Sequence, residues 1–274
     1  MPIEQIVALA MVQGLTEFLP ISSSGHLNLI HLLSDWQDQG PLADVAVHVG
    51  TLFAVMAYLW RDMLRLLAGL GHLLRGRTSE DARLLLLLIL ASLPVFAIGY
   101  IVLKSGLIYR FRTIEVIAWA NLGFAFVLWG ADSFGLTIRR LEHTTAGDAL
   151  LIGLSQVIAL VPGASRAGVT MTAARMLGYE RVEAARFSLL LSIPTIAGLG
   201  VATALEIAAS GDIQLQADLG LAAVLSFAAA VLAIWFMMAL LRRTTMTVFV
   251  VYRIILGLVL LAIVYGLVVL PPNA

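Results

Sequence analysis

The 274-residue chain is predicted to be an all-α integral membrane protein with six transmembrane helices, two re-entrant helix hairpins and an inverted-topology repeat. Three observations predict it. Hydrophobic residues make up 61% of the chain and charged residues 12%, with a mean hydropathy of +0.98, far from soluble averages. Apolar runs such as residues 84–90 are continuous rather than alternating, which argues against a β-barrel. Two apolar stretches are interrupted by polar turns, Pro20-Ile-Ser-Ser-Ser-Gly25 and Pro162-Gly-Ala-Ser-Arg166.

Taken in order, residues 3–33 form the first broken stretch. Spans follow at about 44–60, 84–103 and 113–130, then the second broken stretch at 149–177, then spans at about 187–207, 217–241 and 247–270. A hydrocarbon core takes roughly 20 apolar residues to cross. Each half of a broken stretch is shorter than that, so both read as hairpins that enter and leave on one side. Non-helical backbone at such depth must face protein or water. Ser92 with Pro94, and Ser192 with Pro194, read as kinks, and Trp36, Trp60 and Trp129 as interfacial anchors.

Arginines set the orientation. Arg61, Arg65, Arg75, Arg77 and Arg83 share one loop, Arg139 and Arg140 another. Arg175, Arg181 and Arg186 follow the second hairpin, and Arg242 and Arg243 precede the last span. These loops are read as cytoplasmic, with both termini outside. The loop with Glu206, Asp212 and Asp218 lacks a basic residue, and the loop with Lys104, Arg110 and Arg112 is the exception to the pattern. Each half, 1–140 and 141–274, reads as a hairpin plus three spans; three crossings invert the second half relative to the first. Sliding the chain by about 142 residues places Pro20 on Pro162 and Ser23 on Ser165.

Composition also narrows function. No basic stripe of the kind nucleic acid requires is present. The chain has no cysteine, hence no disulfide, thiolate nucleophile or Cys-ligated metal. The first basic residue is Arg61, so the opening apolar stretch lacks a basic signal-peptide region and is expected to stay in the mature protein.

The chemistry concentrates in the breaks. Gln13 and Glu17, four apart, share a helix face. Burying that carboxylate in lipid costs roughly 3 kcal/mol or more, so it should face a protein or wet interior. With the amide it suits a hard divalent cation, or Glu17 acts as general base. Pro20 breaks the helix; Ser22, Ser23 and Ser24 suit the start of the next one, whose N–H groups favour an anion. His26 suits a nucleophile or proton donor. In the second break Gly163 permits close approach, the N–H groups of Ser165 to Gly168 form another anion cradle, and Arg166 offers a forked cation for phosphate, with Thr170 on its face. His48, Arg253 and Asp44 are weaker candidates.

Gln13-Gly-Leu-Thr-Glu17, the serines through His26, and Pro162-Gly-Ala-Ser-Arg-Ala-Gly-Val-Thr170 together resemble the two motifs of the bacterial undecaprenyl-diphosphate phosphatases, the bacitracin resistance family, over essentially the whole chain. Ala167 departs from the serine usual there. The resemblance implies hydrolysis of undecaprenyl diphosphate to undecaprenyl phosphate and phosphate with a divalent metal, Mg2+ or Ca2+. It implies a multi-pass protein of the inner membrane with a site open to the periplasm, recycling the lipid carrier for peptidoglycan and so supporting cell shape. On this reading Arg166 and the helix N-termini, with Ser22, Ser24, Gly163, Ser165 and Thr170, hold the diphosphate. Glu17 with Gln13 binds metal or positions the nucleophile, and Ser23 or His26 attacks or relays the proton. A homodimer is left open. An inverted repeat equally suits a lipid-phosphate flippase or secondary transporter. The type 2 phosphatidic acid phosphatases are set aside, because no His or Asp lies between Ala167 and Arg175.

Overall fold

The computed structural model describes residues 2–34, 36, 40–106, 111, 113–210 and 213–268. Arg110, Arg112, Asp212, the Glu206 side chain and positions 269–270 of the last expected span lie outside the described residues. Eleven α-helices make up the described chain: α1 (Ile3–Thr16), α2 (Ser23–Leu33), α3 (Gly40–Tyr58), α4 (Trp60–Leu74), α5 (Glu80–Lys104), α6 (Ile114–Phe134), α7 (Ala146–Ile158), α8 (Arg166–Met176), α9 (Arg181–Ser210), α10 (Ile213–Leu241) and α11 (Thr247–Val264).

Four of these are long and apolar enough to cross a membrane, and a fifth crossing is counted if the bent pair α3–α4 is one span. The expected span at 187–207 falls inside α9, a 30-residue helix. Both broken stretches appear as paired short helices, α1–α2 and α7–α8, of 14 and 11 and of 13 and 11 residues. Pro94 and Pro194, expected to mark kinks, lie inside the continuous helices α5 and α9, where Ser92 and Ser192 donate to the carbonyls of Leu88 and Leu189. Leu86, Ile89, Leu93 and Phe96 of α5, and Leu232, Trp235 and Phe236 of α10, form exposed apolar surface suited to lipid. This is a multi-pass membrane protein.

One expectation fails. The stretch after Arg61 is not simply an Arg-rich loop but contains α4, which turns 86° from α3 at Leu59. Leu64, Leu67, Leu70 and Leu74 are exposed on it, at the three- and four-residue spacing of one helical face. Charge counting hid that periodicity. An amphipathic helix at this angle suits the interfacial plane of a bilayer.

The helices pack as two crossed sets. α1 lies along α10 and α7 along α5, while α3 meets α9 and α6 meets α11. Gly14 makes the first of these possible: a Cβ there would come within 2.6 Å of both Ala229 Cβ and the Ser226 carbonyl oxygen. The central apolar cluster runs from Phe18 and Ile21 through Met171 and Ala174 to Leu189, Leu190 and Leu191.

The Arg-rich segments gather at one end of the bundle. Asp132 accepts from Arg175 at 3.0 Å, from Arg181 at 2.7 Å and from the Met246 N–H at 2.9 Å, joining the ends of four helices. Arg65 pairs with Asp81, Arg186 with Asp62, and Arg140 with Glu180. A cavity of about 350 Å³ here is lined by Arg65, Glu80, Arg83, Arg140, Glu183 and Arg186 among others. Its charges largely answer one another, and none of the candidate site residues lines it. Burial raises the Asp148 carboxyl, but hydrogen bonds from Arg139 and Thr145 outweigh that and hold it at about 2.

Candidate active site

Both breaks use the same backbone device. Ser22 and Ser165 are the two non-glycine residues with positive φ among those described, at φ 72°, ψ 95° and φ 69°, ψ 110°. Each is the N-cap of the helix that follows. Ser22 Oγ accepts from the Gly25 N–H at 3.4 Å, and Ser165 Oγ from the Gly168 N–H at 3.1 Å. The residue that shares the geometry of Ser165 is therefore Ser22, not the Ser23 that a shift of about 142 aligns with it.

The two breaks meet. Ser24 Oγ accepts from the Gly163 N–H at 3.2 Å and lies 3.1 Å from Ser22 Oγ. Arg253, fully buried on α11, donates to the carbonyls of Pro20 (3.3 Å), Gly163 (3.0 Å), Ala164 (3.1 Å) and Asn121 (3.2 Å). One guanidinium thus satisfies carbonyls from both breaks and from α6, groups that would otherwise be orphaned by the interrupted helices. Gly163, at φ +93°, is pressed against Ile117, whose carbonyl oxygen a Cβ would strike. These contacts assign Arg253 and Gly163 to holding the breaks together.

Glu17 is the hub. Its side chain is 8% exposed, and Arg166 Nη2 donates to Oε1 at 2.7 Å. Gln13 Nε2 donates to Oε2 at 2.8 Å and Ser23 Oγ to the same oxygen at 3.0 Å. Arg166 also donates to the Ser188 carbonyl at 3.3 Å and covers the Phe18 ring at 5.6 Å. In a low-dielectric site such charge-assisted bonds fix both partners. Ser23 is so placed that its proton already points at a carboxylate.

His26 sits beside this hub with its ring held at both nitrogens. Nδ1 lies 2.8 Å from the Ser22 carbonyl, which can only accept, so Nδ1 carries the proton. Nε2 then accepts from Tyr252 Oη at 2.6 Å, and the two rings stack with centroids 5.5 Å apart. Thr170 is 1% exposed and turns away from solvent: its hydroxyl donates to the Arg166 carbonyl at 2.9 Å and pairs with Ser188 Oγ at 2.7 Å. It supports Arg166 rather than presenting a free donor. The anion cradles are likewise partly occupied, because the N–H groups of Gly25, Gly163 and Gly168 are taken by serine hydroxyls. Ala167 lies in the central apolar cluster, where a serine would add a hydroxyl.

Sequence reasoning gave Tyr252 and Ser188 no role and left His48 and Arg253 as minor candidates. His48 Nε2 lies 3.7 Å from Glu17 Oε2. Nothing in the sequence around Tyr252 or Ser188 separates them from other residues of apolar spans. A histidine and an arginine inside such spans were the available signal.

The donor set suits a hard cation. Gln13 is fully buried and its Oε1 has no hydrogen-bond partner. Exchanging the amide's O and N would turn that oxygen toward the Glu17 carboxylate, so the present orientation is the favoured one. Among the described residues no three His, Asp or Glu side chains gather. A cation on the Glu17 carboxylate would take the Gln13 oxygen as a neutral donor, of the kind Mg2+ and Ca2+ accept, with the amide turned over from its present orientation.

Fold and site together define a membrane-embedded helical protein whose polar centre is assembled from two helix breaks. The sequence matches the family described as Bacitracin resistance protein BacA over residues 6–259, and the chain belongs to that family. It is similar to the undecaprenyl-diphosphatase of Ruegeria sp. (strain TM1040), 46% identical over 97% of this chain and 100% of that one. The undecaprenyl-diphosphatase of Jannaschia sp. (strain CCS1) is 48% identical over 94% of this chain and 97% of its own. Undecaprenyl-diphosphatase 1 of Rhodospirillum rubrum is 47% identical over 95% of each.

Proposed function

We infer that this chain hydrolyses undecaprenyl diphosphate to undecaprenyl phosphate and inorganic phosphate. The observation that carries the reading is the Ser23–Glu17–Arg166 arrangement: a hydroxyl on a carboxylate, beside a cation suited to phosphate, where two helix breaks of a membrane protein meet. A long prenyl chain with an anionic head needs such a place.

Ser23 Oγ attacks the terminal phosphorus and Glu17 takes its proton. The bond from that phosphorus to the bridging oxygen breaks, and undecaprenyl phosphate leaves with the proton that Glu17 gives up. Water then attacks the phosphoserine, Glu17 accepts a proton from it and returns one to Ser23 as phosphate departs. Arg166 steadies the transferring oxygens through N–H groups not spent on Glu17 and Ser188. Glu17 and Gln13 would hold a divalent metal, which when bound would supply charge neutralisation on the diphosphate. His26, its Nε2 facing the Tyr252 hydroxyl, relays protons at the edge of the site.

The same reading puts the protein in the bacterial inner membrane with six spans, α3, α5, α6, α9, α10 and α11, two re-entrant hairpins and the site toward the periplasm, recycling carrier for peptidoglycan and cell shape. An inverted repeat of 1–140 and 141–274 is supported by Ser22 and Ser165, 143 positions apart, and by the exchange of partners in which α1 meets α10 as α7 meets α5. A homodimer fits the exposed apolar flanks as well as lipid does.

The test is phosphate release from undecaprenyl diphosphate by purified protein in detergent, with no ion gradient. Turnover is expected, and its loss in E17A, H26A and R166A. A protein that moves lipid phosphate in vesicles but releases no phosphate is a flippase or transporter, and this reading fails.

A further inference from the structure

His48 lies on α3, outside both breaks, yet its ring reaches Glu17. Nδ1 is 2.6 Å from the Asp44 carbonyl oxygen, which can only accept, so the ring proton of neutral His48 sits on Nδ1. Nε2 is then a bare lone pair, and it faces Glu17 Oε2 at 3.7 Å. That is too long for a hydrogen bond. The same carboxylate neighbours the Gln13 side chain, whose buried Oε1 is without a donor. Gln13 Nε2 and Ser23 Oγ already donate to Oε2 and Arg166 to Oε1, so the atoms here without a donor are His48 Nε2 and Gln13 Oε1, two lone pairs beside one carboxylate that a cation would satisfy together.

Resting on the reading that the site holds a divalent cation, we propose that His48 Nε2 is a nitrogen ligand of that cation alongside Glu17 and Gln13. Two atoms 3.7 Å apart both reach one ion at about 2.2 Å with a ligand–metal–ligand angle of roughly 115°, within the range open to divalent ions. The Nδ1 bond to a backbone carbonyl is the outer contact that commonly fixes the tautomer and aim of a ligating histidine. His26 is a poorer ligand, because both its nitrogens are already bonded. One imidazole among oxygen donors shifts preference toward Mn2+ and away from Ca2+.

The experiment uses the full-length protein in detergent, metal-stripped and titrated with Mn2+, and reads pulsed EPR of the bound ion. The wild type is expected to show imidazole nitrogen coupling, lost in H48Q and kept in H26Q, with Mn2+ affinity falling about tenfold or more in H48Q. Circular dichroism and gel filtration check that H48Q is folded. If it is not, 15N-histidine-labelled wild type is compared with equally labelled H26Q, H31Q, H72Q and H143Q, since a coupling that survives in all four variants comes from His48, the one histidine they share. Coupling that disappears in H26Q but persists in H48Q overturns the proposal. So does Mn2+ bound without nitrogen coupling, or phosphate release by a wild type that binds no Mn2+; both leave the phosphatase reading intact. Nitrogen coupling from His48 in a protein that releases no phosphate has the opposite meaning: the ligand stands and the phosphatase reading falls.

Discussion

The two helix breaks are alike in backbone and unlike in side chain. Each ends in a serine at φ near 70° that caps an 11-residue helix through its own hydroxyl. Each is preceded by a helix carrying a fully buried glutamine, Gln13 in α1 and Gln156 in α7. In the first break the glutamine amide meets Glu17. In the second, the residue four places on from Gln156 is Leu160, and the Gln156 amide nitrogen has no partner. The acid and histidine thus stand on one break and the arginine on the other. Two like helix starts meet at one point, and the candidate groups are divided between them.

The largest expected effect breaks that division. E17A removes the proton acceptor of Ser23 and leaves Arg166 without its carboxylate, and phosphate release should fall about a thousandfold or more. R166A should lose a comparable factor from the other break. If one of the two retains near-normal turnover, the site belongs to a single break and the comparison is wrong at its centre. Steady-state phosphate release on matched, folded samples decides it.

Next is the clasp. Arg253 bonds carbonyls from both breaks and, among the described residues, meets no carboxylate. R253A should cost about 3 kcal/mol or more, since buried carbonyls in both breaks lose charged donors at once. Thermal unfolding in detergent would register this as a large fall in Tm. R253K should recover little, because one ammonium cannot span carbonyls that a planar fork reaches. A Tm unchanged in R253A would mean that the breaks are joined by the serines alone.

Much of this was legible beforehand. The two helix breaks, and Glu17, Ser23 and Arg166 in or beside them, announce themselves, because a membrane chain carries polar residues and helix breakers at a cost and so few of them are incidental. What was hidden depends on long-range geometry. Tyr252 is one more aromatic in an apolar span until α11 brings it against His26. Thr170 has the right spacing for a ligand contact, yet it turns to Ser188, since a buried hydroxyl takes the nearest acceptor. The α4 helix was missed for a different reason: five arginines between Arg61 and Arg83 outweighed a leucine stripe that a helical count would have found.

The serine pair sharpens the equivalence of the scaffolds. At φ near 70° a side chain is strained by about 1 kcal/mol, which glycine avoids, while replacing a serine cap by glycine costs only a few tenths. S22G and S165G should therefore each leave stability unchanged or raise it by about 0.5 kcal/mol. S22A and S165A, which keep the strain and lose the cap, should each lower it by about 1 kcal/mol. Matching signs at both positions in thermal unfolding support one device used twice. Opposite signs would show that one serine is held for its contacts, with Ser22, bonded also to Ser24, the place to look.

The smallest effect concerns how the two hairpins begin. α7 opens with a capping box in which Thr145 accepts from the Asp148 N–H and Asp148 accepts from the Thr145 N–H, with Arg139 bonded to the same carboxylate. α1 opens at Pro2 with no side-chain cap. The Asp148 carboxyl is held at about 2, below its ordinary 3.8. Its contribution is therefore complete above about pH 4 and is lost as pH falls through about 2, because protonation then removes the acceptor. Hydrogen exchange should show the first turn of α7 loosening across that window by about 1 kcal/mol or less, a change that D148N introduces at neutral pH and so removes from the titration. The start of α1 gains no such cap and should not follow this titration. Loosening of both hairpins together, with D148N behaving as wild type, would mean that the acid response comes from the shared clasp and not from this end of the second hairpin.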